Sequence, residues 1–372
     1  MKKKIVLFGG GTGQRGLTIG LCQRQCAITR IVPAWDNGGS SAALRSEFGI
    51  LSVGDIRQAL MTLAHGEGRV DCVVKFFNAR LSEDASPADL AAEFDYYASP
   101  NHPLLKATES GIRGAILNYL GVFRARMSSA FDLRRGSIGN FVIVGAYFAH
   151  NMDINTAIFV FRKLCSIEGN VWPATTAGDL HLQAHLSNGE VVAGQAQITS
   201  MGRSEPGSVI ENIILHGGDQ GCVSSTNLAS IEAIHDADLL VFGPGSFYTS
   251  VLPHLLVKGV ASAIAHNTSA PRLVIGNIME CNETVNRTLA SMVADLEVAF
   301  GSSSDSSGPL VSHIFANRRP TPFPTIVNGF AYLSMGDFVG NTEVAAFDLE
   351  DPWQRGKHDP NLLADMVTRL IS

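Results

Sequence analysis

The sequence predicts an α/β fold, a Rossmann-like three-layer structure around a mainly parallel sheet. Three observations predict it: apolar runs that end in glycine-rich loops, helical stretches between these runs, and the length of the first repeating unit. The clearest runs are Lys4–Phe8, followed by Gly9–Gly13, and Asp238–Phe242, followed by Gly243–Ser246. Parallel strands are covered by helices on both faces, so they appear as continuous apolar runs.

The first unit has the length of a βαβ unit. A helical stretch at Leu17–Arg24 follows Gly9–Gly13, and a second strand at Ile28–Ala34 ends in the polar loop Asp36–Ser41. The unit therefore covers about 30 residues, which suits two parallel strands joined by a helix.

Helical periodicity dominates the next hundred residues. Residues 42–65 are predicted to be helical with a break at Phe48–Gly54. Residues 76–135 are predicted to form a smaller helical insertion, with breaks at Ser82–Pro87 and Ser99–Pro103 where helix-breaking residues cluster.

The whole chain, residues 1–372, is predicted to be a single α/β domain that carries this insertion, since large sheets accommodate chains of this length. The remaining predicted elements are a helix at Phe141–His150, a strand at Leu180–Leu186, a hairpin turn at Asn188-Gly189, a returning strand at Val191–Ile198, a strand at Leu273–Ile278 and a surface loop at Gly301–Gly308.

Composition excludes several classes of protein. Hydrophobic residues make up 45% of the chain and charged residues 17%, which excludes a disordered protein, and the net charge of −6 comes without a basic run for nucleic acid or an anionic membrane. The apolar run Ile5–Phe8 is shorter than the roughly 7–15 residues of a signal peptide. We therefore expect a cytoplasmic protein with no nucleic-acid or membrane partner.

Cysteine and histidine pairs do not predict a zinc site. Cys22 and Cys26 are four residues apart in a helical stretch, and His181 and His185 share one face of a predicted strand. Zinc sites need three or four ligands, and neither pair has further ligands close in the sequence. Packing or surface roles are therefore favoured for all four side chains.

The first glycine-rich loop leaves two interpretations open. Gly11-x-Gly13-x-x-Gly16 matches the dinucleotide fingerprint, with Asp36 about 20 residues further on to hold a ribose hydroxyl, which suggests an NAD-dependent oxidoreductase. The consecutive glycines and the polar loop at residues 37–41 depart from that fingerprint. A tight turn without any ligand is the alternative.

Taken together, the loops favour a phosphate-bearing ligand. Loops at the carboxyl ends of strands line one crevice in an open α/β sheet, and glycines and helix N-termini suit phosphate groups. We predict one site for a ligand with two phosphates. Its candidate ligand residues are Gly10, Gly11, Thr12, Gly13, Asn37, Gly39, Ser40, Ser41, Asn140, Gly243, Pro244, Gly245 and Ser246. A side chain at Gly11 is expected to block phosphate with little effect on the fold.

Asp36 and Asp55 are the candidate catalytic and magnesium-binding residues. Mg²⁺ prefers one or two carboxylates together with phosphate oxygens, and the chain has no Walker lysine to neutralise a diphosphate. For Asp55, capping a helix at Ile56–Ala64 is an equal alternative. Arg45 and Arg57 are either phosphate partners or solvated helix charges.

A series of motifs spans nearly the whole chain. They are Ile5–Gly13, Asp36–Ser41 with Leu44-Arg45, Gly49-Ile50-Leu51, Gly54–Arg57, Gly139-Asn140, Gly243–Ser246 with Tyr248–Pro253, Asn277–Met279, Glu283-Thr284 and His358–Pro360. In this order they resemble the CofD-like family, which includes 2-phospho-L-lactate transferase and the YvcK-type gluconeogenesis factors. The resemblance adds Thr249 and Asn277 to the candidate ligand residues, and it also includes Arg57.

The resemblance also implies a function and a homodimer. The transferase branch moves a phospholactyl group from a guanosine-diphosphate carrier to a deazaflavin with Mg²⁺, whereas the YvcK-type branch binds UDP-sugars and is linked to carbon and cell-wall metabolism. Asp36–Ser41 is similar to the YvcK-type branch. We therefore expect first a regulatory nucleotide-sugar-binding protein, second a Mg²⁺-dependent transferase acting on a nucleoside-diphosphate-linked group, and third an NAD-dependent oxidoreductase.

Overall fold

The fold is seen in a computed structural model that describes residues 2–69, 71–201, 208–217, 226–304, 308–318, 327, 329–338 and 342–372. Its strands are β1 (Lys4–Phe8), β2 (Ala27–Val32), β3 (Asn170–Pro173), β4 (Leu180–Leu186), β5 (Val191–Ala193), β6 (Ile210–Gly217), β7 (Leu239–Phe242), β8 (Arg272–Ile275), β9 (His313–Asn317) and β10 (Glu343–Phe347).

Helices connect most of these strands, and many of the helices lie in the long connection between β2 and β3. They are α1 (Arg15–Gln23), α2 (Gly39–Phe48), α3 (Gly54–Gly66), α4 (Cys72–Asn78), α5 (Pro87–Tyr97), α6 (Pro103–Lys106), α7 (Ser110–Arg126), α8 (Ile138–Ala149), α9 (Ile154–Leu164), α10 (Gln195–Ser200), α11 (Leu228–His235), α12 (Val260–His266), α13 (Leu289–Ser303) and α14 (Pro360–Arg369). A π-helix at Phe247–Val251 continues into a 3₁₀-helix at Leu252–Leu256.

The main sheet has seven strands in the order β10-β9-β8-β7-β1-β2-β3, and all its neighbouring strands are parallel. The chain builds outward from β1 to β3 on one side, then returns to place β7 against the other side of β1. The strand order therefore reverses between β1 and β7. Ligands of open α/β sheets bind at such a switch point, outside the carboxyl ends of the strands.

The centre of the sheet is fully apolar, as the sequence predicts. Ile5 to Phe8 of β1 and all four residues of β7 are buried, and the rings of Phe8 and Phe242 stack with centroids 4.8 Å apart. Burying such side chains contributes roughly 1.5–3 kcal/mol each. The two loops that leave these strands therefore start from the most constrained part of the molecule.

Residues between β2 and β3 form the long helical region. The predicted break at Phe48–Gly54 separates α2 from α3. Within residues 76–135, α5 lies between the two predicted breaks, and α6 and α7 follow the second break. The helical region begins earlier than predicted, because α4 starts at Cys72. Gly145 lets α8 lie against α7, since a Cβ there would be 1.9 Å from the carbonyl oxygen of Tyr119. That residues 1–372 form one domain stays a prediction.

The predicted strand Leu180–Leu186 and the hairpin turn after it are confirmed, and they belong to a second sheet whose third strand, β6, was not predicted. This sheet has three antiparallel strands in the order β5-β4-β6. The predicted returning strand Val191–Ile198 is wrong beyond Ala193, because Gly194 adopts a φ of +95° and α10 begins at Gln195. The predicted loop Gly301–Gly308 is also partly wrong, since α13 continues to Ser303, while residues 305–307 lie outside the described residues.

In the described parts of the chain no single helix is long and apolar enough to cross a membrane. One helix pair, Phe247–Leu256 with Val260–His266, has the length and composition of a broken span and is bent by 74°.

Candidate functional site

The glycine-rich loops after β1 and β7 meet at the switch point. The Gly243 amide donates to the Phe8 carbonyl oxygen at 3.2 Å, and a Cβ on Gly13 would lie only 2.7 Å from the Cα of Gly245. The loop after β2 joins them through the start of α3, because a Cβ on Gly54 would lie 3.3 Å from the Asp36 Oδ2 atom. The predicted grouping of Gly9–Gly13, Asp36–Ser41 and Gly243–Ser246 at one edge is confirmed.

The first loop exposes its tip and buries its centre. Thr12 and Gly13 are exposed, whereas Gly11 is buried, and a Cβ on Gly11 would lie 2.6 Å from the Cβ of Gln58 in α3. The expectation that a side chain at Gly11 leaves the fold intact is therefore wrong, because the loop would have to move away from α3. Thr12 and Gly13 remain as the residues of this loop that face the crevice.

Asp55 holds the first loop instead of capping its own helix. It lies in the first turn of α3, one residue after Gly54, and its Oδ1 atom accepts a hydrogen bond from the Gly11 amide at 2.8 Å. The alternative that Asp55 caps the helix is wrong. The pKa of the Asp55 carboxyl is raised to about 7, mainly by burial and secondly by the negative charge of Asp36. The hydrogen bond from the Gly11 amide and the charges of Arg30 and Arg57 lower it in part.

Asp36 lies beside Asp55 at the end of the connection from β2. Its Oδ1 atom accepts from the Gly38 amide at 2.9 Å, and its Oδ2 atom lies 3.5 Å from the Ser52 hydroxyl oxygen. Within the described residues there is no group of three or more His, Cys, Asp or Glu side chains suited to a metal. A Mg²⁺ ion at Asp36 and Asp55 would therefore need phosphate and water oxygens, which this ion prefers.

The loop after β2 is fixed by its neighbours. Asn37 accepts from the Ala196 amide at 2.8 Å and donates to Gln197, so it holds the first turn of α10. Ser40 accepts from the Asn140 side-chain amide at 3.2 Å. Gly39, with a φ of +49°, is exposed at the start of α2. Ser41 is buried beneath the loop, next to Gly54.

Neither arginine after these loops is a solvated helix charge. Arg57 is buried and donates to the Asn140 side-chain oxygen at 3.1 Å, and burial lowers the pKa of its guanidinium to about 10. Arg45 donates to the carbonyl oxygens of Trp35 at 2.8 Å and of Leu180. Arg45 thus joins the loop after β2 to the small sheet, and its pairing with phosphate stays a prediction.

Hydrogen bonds from side chains outside the loop hold the loop after β7 in place. Asn277 accepts from the Gly245 amide at 3.0 Å and donates to the Gly245 carbonyl oxygen at 2.9 Å, which fixes this residue at the turn after the cis Gly243-Pro244 bond. Thr249 is fully buried, and its hydroxyl donates to Glu283 at 2.7 Å. Gly245 and Ser246 remain partly exposed at the crevice, whereas Thr249 and Asn277 support the loop.

The motif His358–Pro360 also supports the site. The His358 Nε2 atom bonds the Gly276 carbonyl oxygen at 3.0 Å, and burial lowers the pKa of this imidazole to about 4, so it is neutral at pH 7. A Cβ on Gly16 would lie 3.2 Å from the Cβ of Pro360. The C-terminal segment therefore packs against both α1 and the residue before Asn277.

Sequence reasoning missed the roles of three buried residues, of which it had named only Glu283, as part of a motif. Gln14 donates to the carbonyl oxygens of Phe8 at 2.9 Å and Gly243 at 2.8 Å, and thus ties the two central strand ends together. Glu283 accepts from the amides and hydroxyl at the start of the π-helix. Arg30 lies fully buried within β2. Glu283 had a signal as part of the motif Glu283-Thr284, and Arg30 had one as a charged residue inside an apolar strand.

The fold and the site define a doubly wound α/β protein with glycine-rich loops gathered at the switch point of its sheet. The chain belongs to the CofD family, whose description is 2-phospho-L-lactate transferase CofD and whose profile matches residues 5–328.

Among its relatives, a gluconeogenesis factor from Bacillus subtilis is 30% identical over 301 residues, which cover 81% of this chain and 76% of that protein. A Nostoc relative is 31% identical over 302 residues, which cover 80% of this chain but 52% of that protein. The chain thus spans about half the length of the Nostoc relative.

The fold is also found in a solved structure. Protein BH3568 from Bacillus halodurans, a member of the UPF0052 family, superposes with a TM-score of 0.71 and 24% identity, over 100% of this chain and 99% of that chain. At this identity the likeness shows the shared fold.

Proposed function

We propose that the crevice binds a nucleotide sugar of the UDP-sugar type and that the protein regulates carbon or cell-wall metabolism. The observation that carries the proposal is the contact of the loops after β1 and β7 at the switch point, seen at Gly13 and Gly245. The family membership and the gluconeogenesis-factor description of relatives support the regulatory part.

The chemistry of the crevice suits a diphosphate. The Thr12 amide makes no hydrogen bond within the described residues and lies just before α1, while the exposed Gly39 starts α2. Helix N-termini carry partial positive charge and unpaired amides, which favour anions. The partly exposed Ser246 adds a hydroxyl from the loop after β7. The loops after β1, β2 and β7 would therefore each offer donors to a phosphate chain.

A second candidate function is a Mg²⁺-dependent transferase that moves a phospholactyl-like group from a nucleoside diphosphate. The pair Asp36 and Asp55 favours it, because the Asp55 Oδ2 atom has no hydrogen-bond partner within the described residues and both carboxylates lie beside the phosphate loops. When bound, Mg²⁺ would supply positive charge against the developing charge of the leaving diphosphate. Asp36 and Asp55 would hold the ion.

Binding is tested by thermal shift and calorimetry with UDP-sugars, UDP, GDP, NAD and NADP. We expect UDP-sugars to stabilise the protein, by about 2.7 kcal/mol at 100 times the dissociation constant, and NAD to have little effect. Gly13→Val should abolish this stabilisation, since its side chain would collide with Gly245. Gly301→Ala, where a Cβ meets nothing within 4 Å, is the control. Tight binding of NAD, together with no stabilisation by UDP-sugars, would refute the proposal.

The two candidate functions are separated by Asp36→Asn. In a binding protein this change should weaken nucleotide-sugar affinity by about 1–3 kcal/mol, the cost of leaving a partner unpaired. In a transferase it should lower turnover far more than affinity. The measurement follows nucleotide release from a nucleoside-diphosphate donor with Mg²⁺ and a deazaflavin or sugar acceptor. The transferase would be favoured by nucleotide release that is saturable, depends on Mg²⁺ and is lost in Asp36→Asn. The control Asp84→Asn, a change at an exposed residue, should retain this release.

The expected homodimer and cytoplasmic location stay predictions. Light scattering of the purified chain, with and without a UDP-sugar, measures the first directly.

A further inference from the structure

Arg30 is a buried charge directly behind the first glycine-rich loop. It lies in β2 opposite Leu7 of β1 and Val171 of β3, and its side chain is fully buried. Burying a guanidinium is costly unless it is paired and hydrogen-bonded. Burial lowers its pKa only to about 10, so the guanidinium stays charged at neutral pH. The free-energy cost of burying this charge must therefore be offset by the contacts that the guanidinium makes.

The guanidinium uses its donors on the loop and on the first helix. One terminal nitrogen, Nη2, donates to the Gly10 carbonyl oxygen at 2.5 Å, and the other, Nη1, donates to the Thr18 hydroxyl oxygen of α1 at 3.1 Å. The Nε atom is buried and has no hydrogen-bond partner among the described residues. Arg30 therefore connects β2, the first loop and α1.

Arg30 and Asp55 form hydrogen bonds with opposite ends of the same peptide group. The Gly10 carbonyl oxygen accepts from Arg30, and the amide of the next residue, Gly11, donates to Asp55 at 2.8 Å. Because a trans peptide is planar, its carbonyl and amide point in opposite directions. Fixing both ends fixes the plane of this peptide and directs the Gly11 amide to Asp55. The next amide, that of Thr12, has no hydrogen-bond partner within the described residues and is left for a phosphate.

The charge of Arg30 also acts on the crevice from behind the loop. Few atoms and little water separate a fully buried guanidinium from the loop surface, so its field is screened less than that of a surface arginine. The nearest opposing charge is Asp55, whose carboxylate favours the charged form of Arg30. A ligand that carries several negative charges would therefore gain more from Arg30 than an uncharged ligand.

We propose that Arg30 is a positioning residue that clamps the Gly10–Gly11 peptide, directs the Thr12 amide to the ligand, and makes the site prefer a nucleoside diphosphate over the uncharged nucleoside. The proposal rests on the proposed function and deepens it. It assigns the preference for diphosphate to a residue that never touches the ligand.

The test compares UDP with uridine by calorimetry in Arg30→Met and Arg30→Lys. Arg30→Met keeps the length and apolar stem but removes the charge and the donors. It should weaken UDP binding at least tenfold and uridine binding less than twofold. Arg30→Lys keeps the charge and one donor for Gly10, so it should recover part of the UDP affinity. Equal losses for both ligands, or no loss for UDP, would overturn the proposal.

Hydrogen exchange of the Gly11 amide, followed by NMR, gives a readout without ligand. Arg30→Met should speed this exchange at least tenfold, because the peptide is then held only by Asp55. Thr18→Val removes the contact of Arg30 with α1 and the hydrogen bond from the Thr18 hydroxyl to the Gln14 carbonyl oxygen, but it leaves both hydrogen bonds of the Gly10–Gly11 peptide in place and should leave the exchange nearly unchanged. An unchanged rate in Arg30→Met contradicts the clamp. If Arg30→Met does not fold, Arg30→Lys is the deciding variant. It should show a smaller rise in the exchange rate of the Gly11 amide and a severalfold loss of UDP affinity. Wild-type values for both the exchange rate and the UDP affinity would overturn the proposal.

These measurements also separate the two proposals. If the wild type binds neither UDP nor a UDP-sugar, the proposed function fails, and the preference for diphosphate fails with it. The exchange rate of the Gly11 amide still decides whether Arg30 clamps the peptide.

Discussion

Replacing Asp55 by asparagine is expected to stabilise the ligand-free protein at high pH and to have little effect at low pH. Burial and the neighbouring charge of Asp36 raise the pKa of Asp55 from its ordinary value of 3.8 to about 7. Between about pH 4 and pH 7 the folded chain keeps a proton that the unfolded chain has released. Stability therefore falls as the pH rises through this window, and the loss is complete above it.

The magnitude follows from the two pKa values. The difference between 3.8 and about 7 corresponds to about 4 kcal/mol at roughly 1.36 kcal/mol per pH unit. Asp55 is only partly buried, so water at the carboxylate screens part of this cost. We expect Asp55→Asn to raise the free energy of unfolding by about 1–2 kcal/mol at pH 8.5. The asparagine oxygen can still accept the hydrogen bond from the Gly11 amide.

Urea unfolding of the wild type and Asp55→Asn at pH 4.5 and pH 8.5 measures the effect. The control is Asp84→Asn, which removes a carboxyl from an exposed loop without a hydrogen-bond role in the described residues. In Asp36→Asn the loss of stability should be smaller and should end at a lower pH, because without the neighbouring negative charge the pKa of Asp55 in the folded chain is raised less. An Asp55→Asn variant that is equally stabilised at both pH values, or less stable than the wild type at pH 8.5, would refute the reasoning.

Two further predictions concern packing and loop support. Gly145→Ala should destabilise the fold by about 1–3 kcal/mol in urea, since the new Cβ would lie 1.9 Å from the Tyr119 carbonyl oxygen and must push α7 and α8 apart. Gly114→Ala on the exposed face of α7, where a Cβ meets nothing within 4 Å, should instead add about 0.5–1 kcal/mol, and equal effects of the two changes would contradict this packing. Glu283→Gln should lower the melting temperature and speed exchange of the Thr249 amide, because an amide group replaces one acceptor oxygen, and unchanged exchange would show that Glu283 does not hold the π-helix.

The sequence was a good guide to the candidate site wherever the chain carries a local signal. Glycine after an apolar run marks the loops at Gly9–Gly13 and Gly243–Ser246, and the structure brings these loops together. The roles of individual residues were harder to predict. Asp55 and Arg45 lie in helices, where a carboxylate near the start and an exposed arginine are common, and only their partners across the fold distinguish them from such residues.

The small antiparallel sheet shows the same limit for the fold. Its strand β4 alternates clearly, but β5 has only three residues and ends where Gly194 takes a positive φ. Strands this short gain their stability from pairing, which is a property of the neighbouring strands and not of the segment itself.

The sequence by itself determined the α/β class, the central apolar strands and the position of the glycine-rich loops, because these depend on periodicity and backbone freedom along the chain. Only the tertiary structure decided which side chains face the crevice and which hold it from behind. Arg30, Gln14 and Glu283 act through hydrogen bonds to residues far away in sequence. A buried polar group must find its partners in three dimensions, and the pattern of the chain does not record where those partners lie.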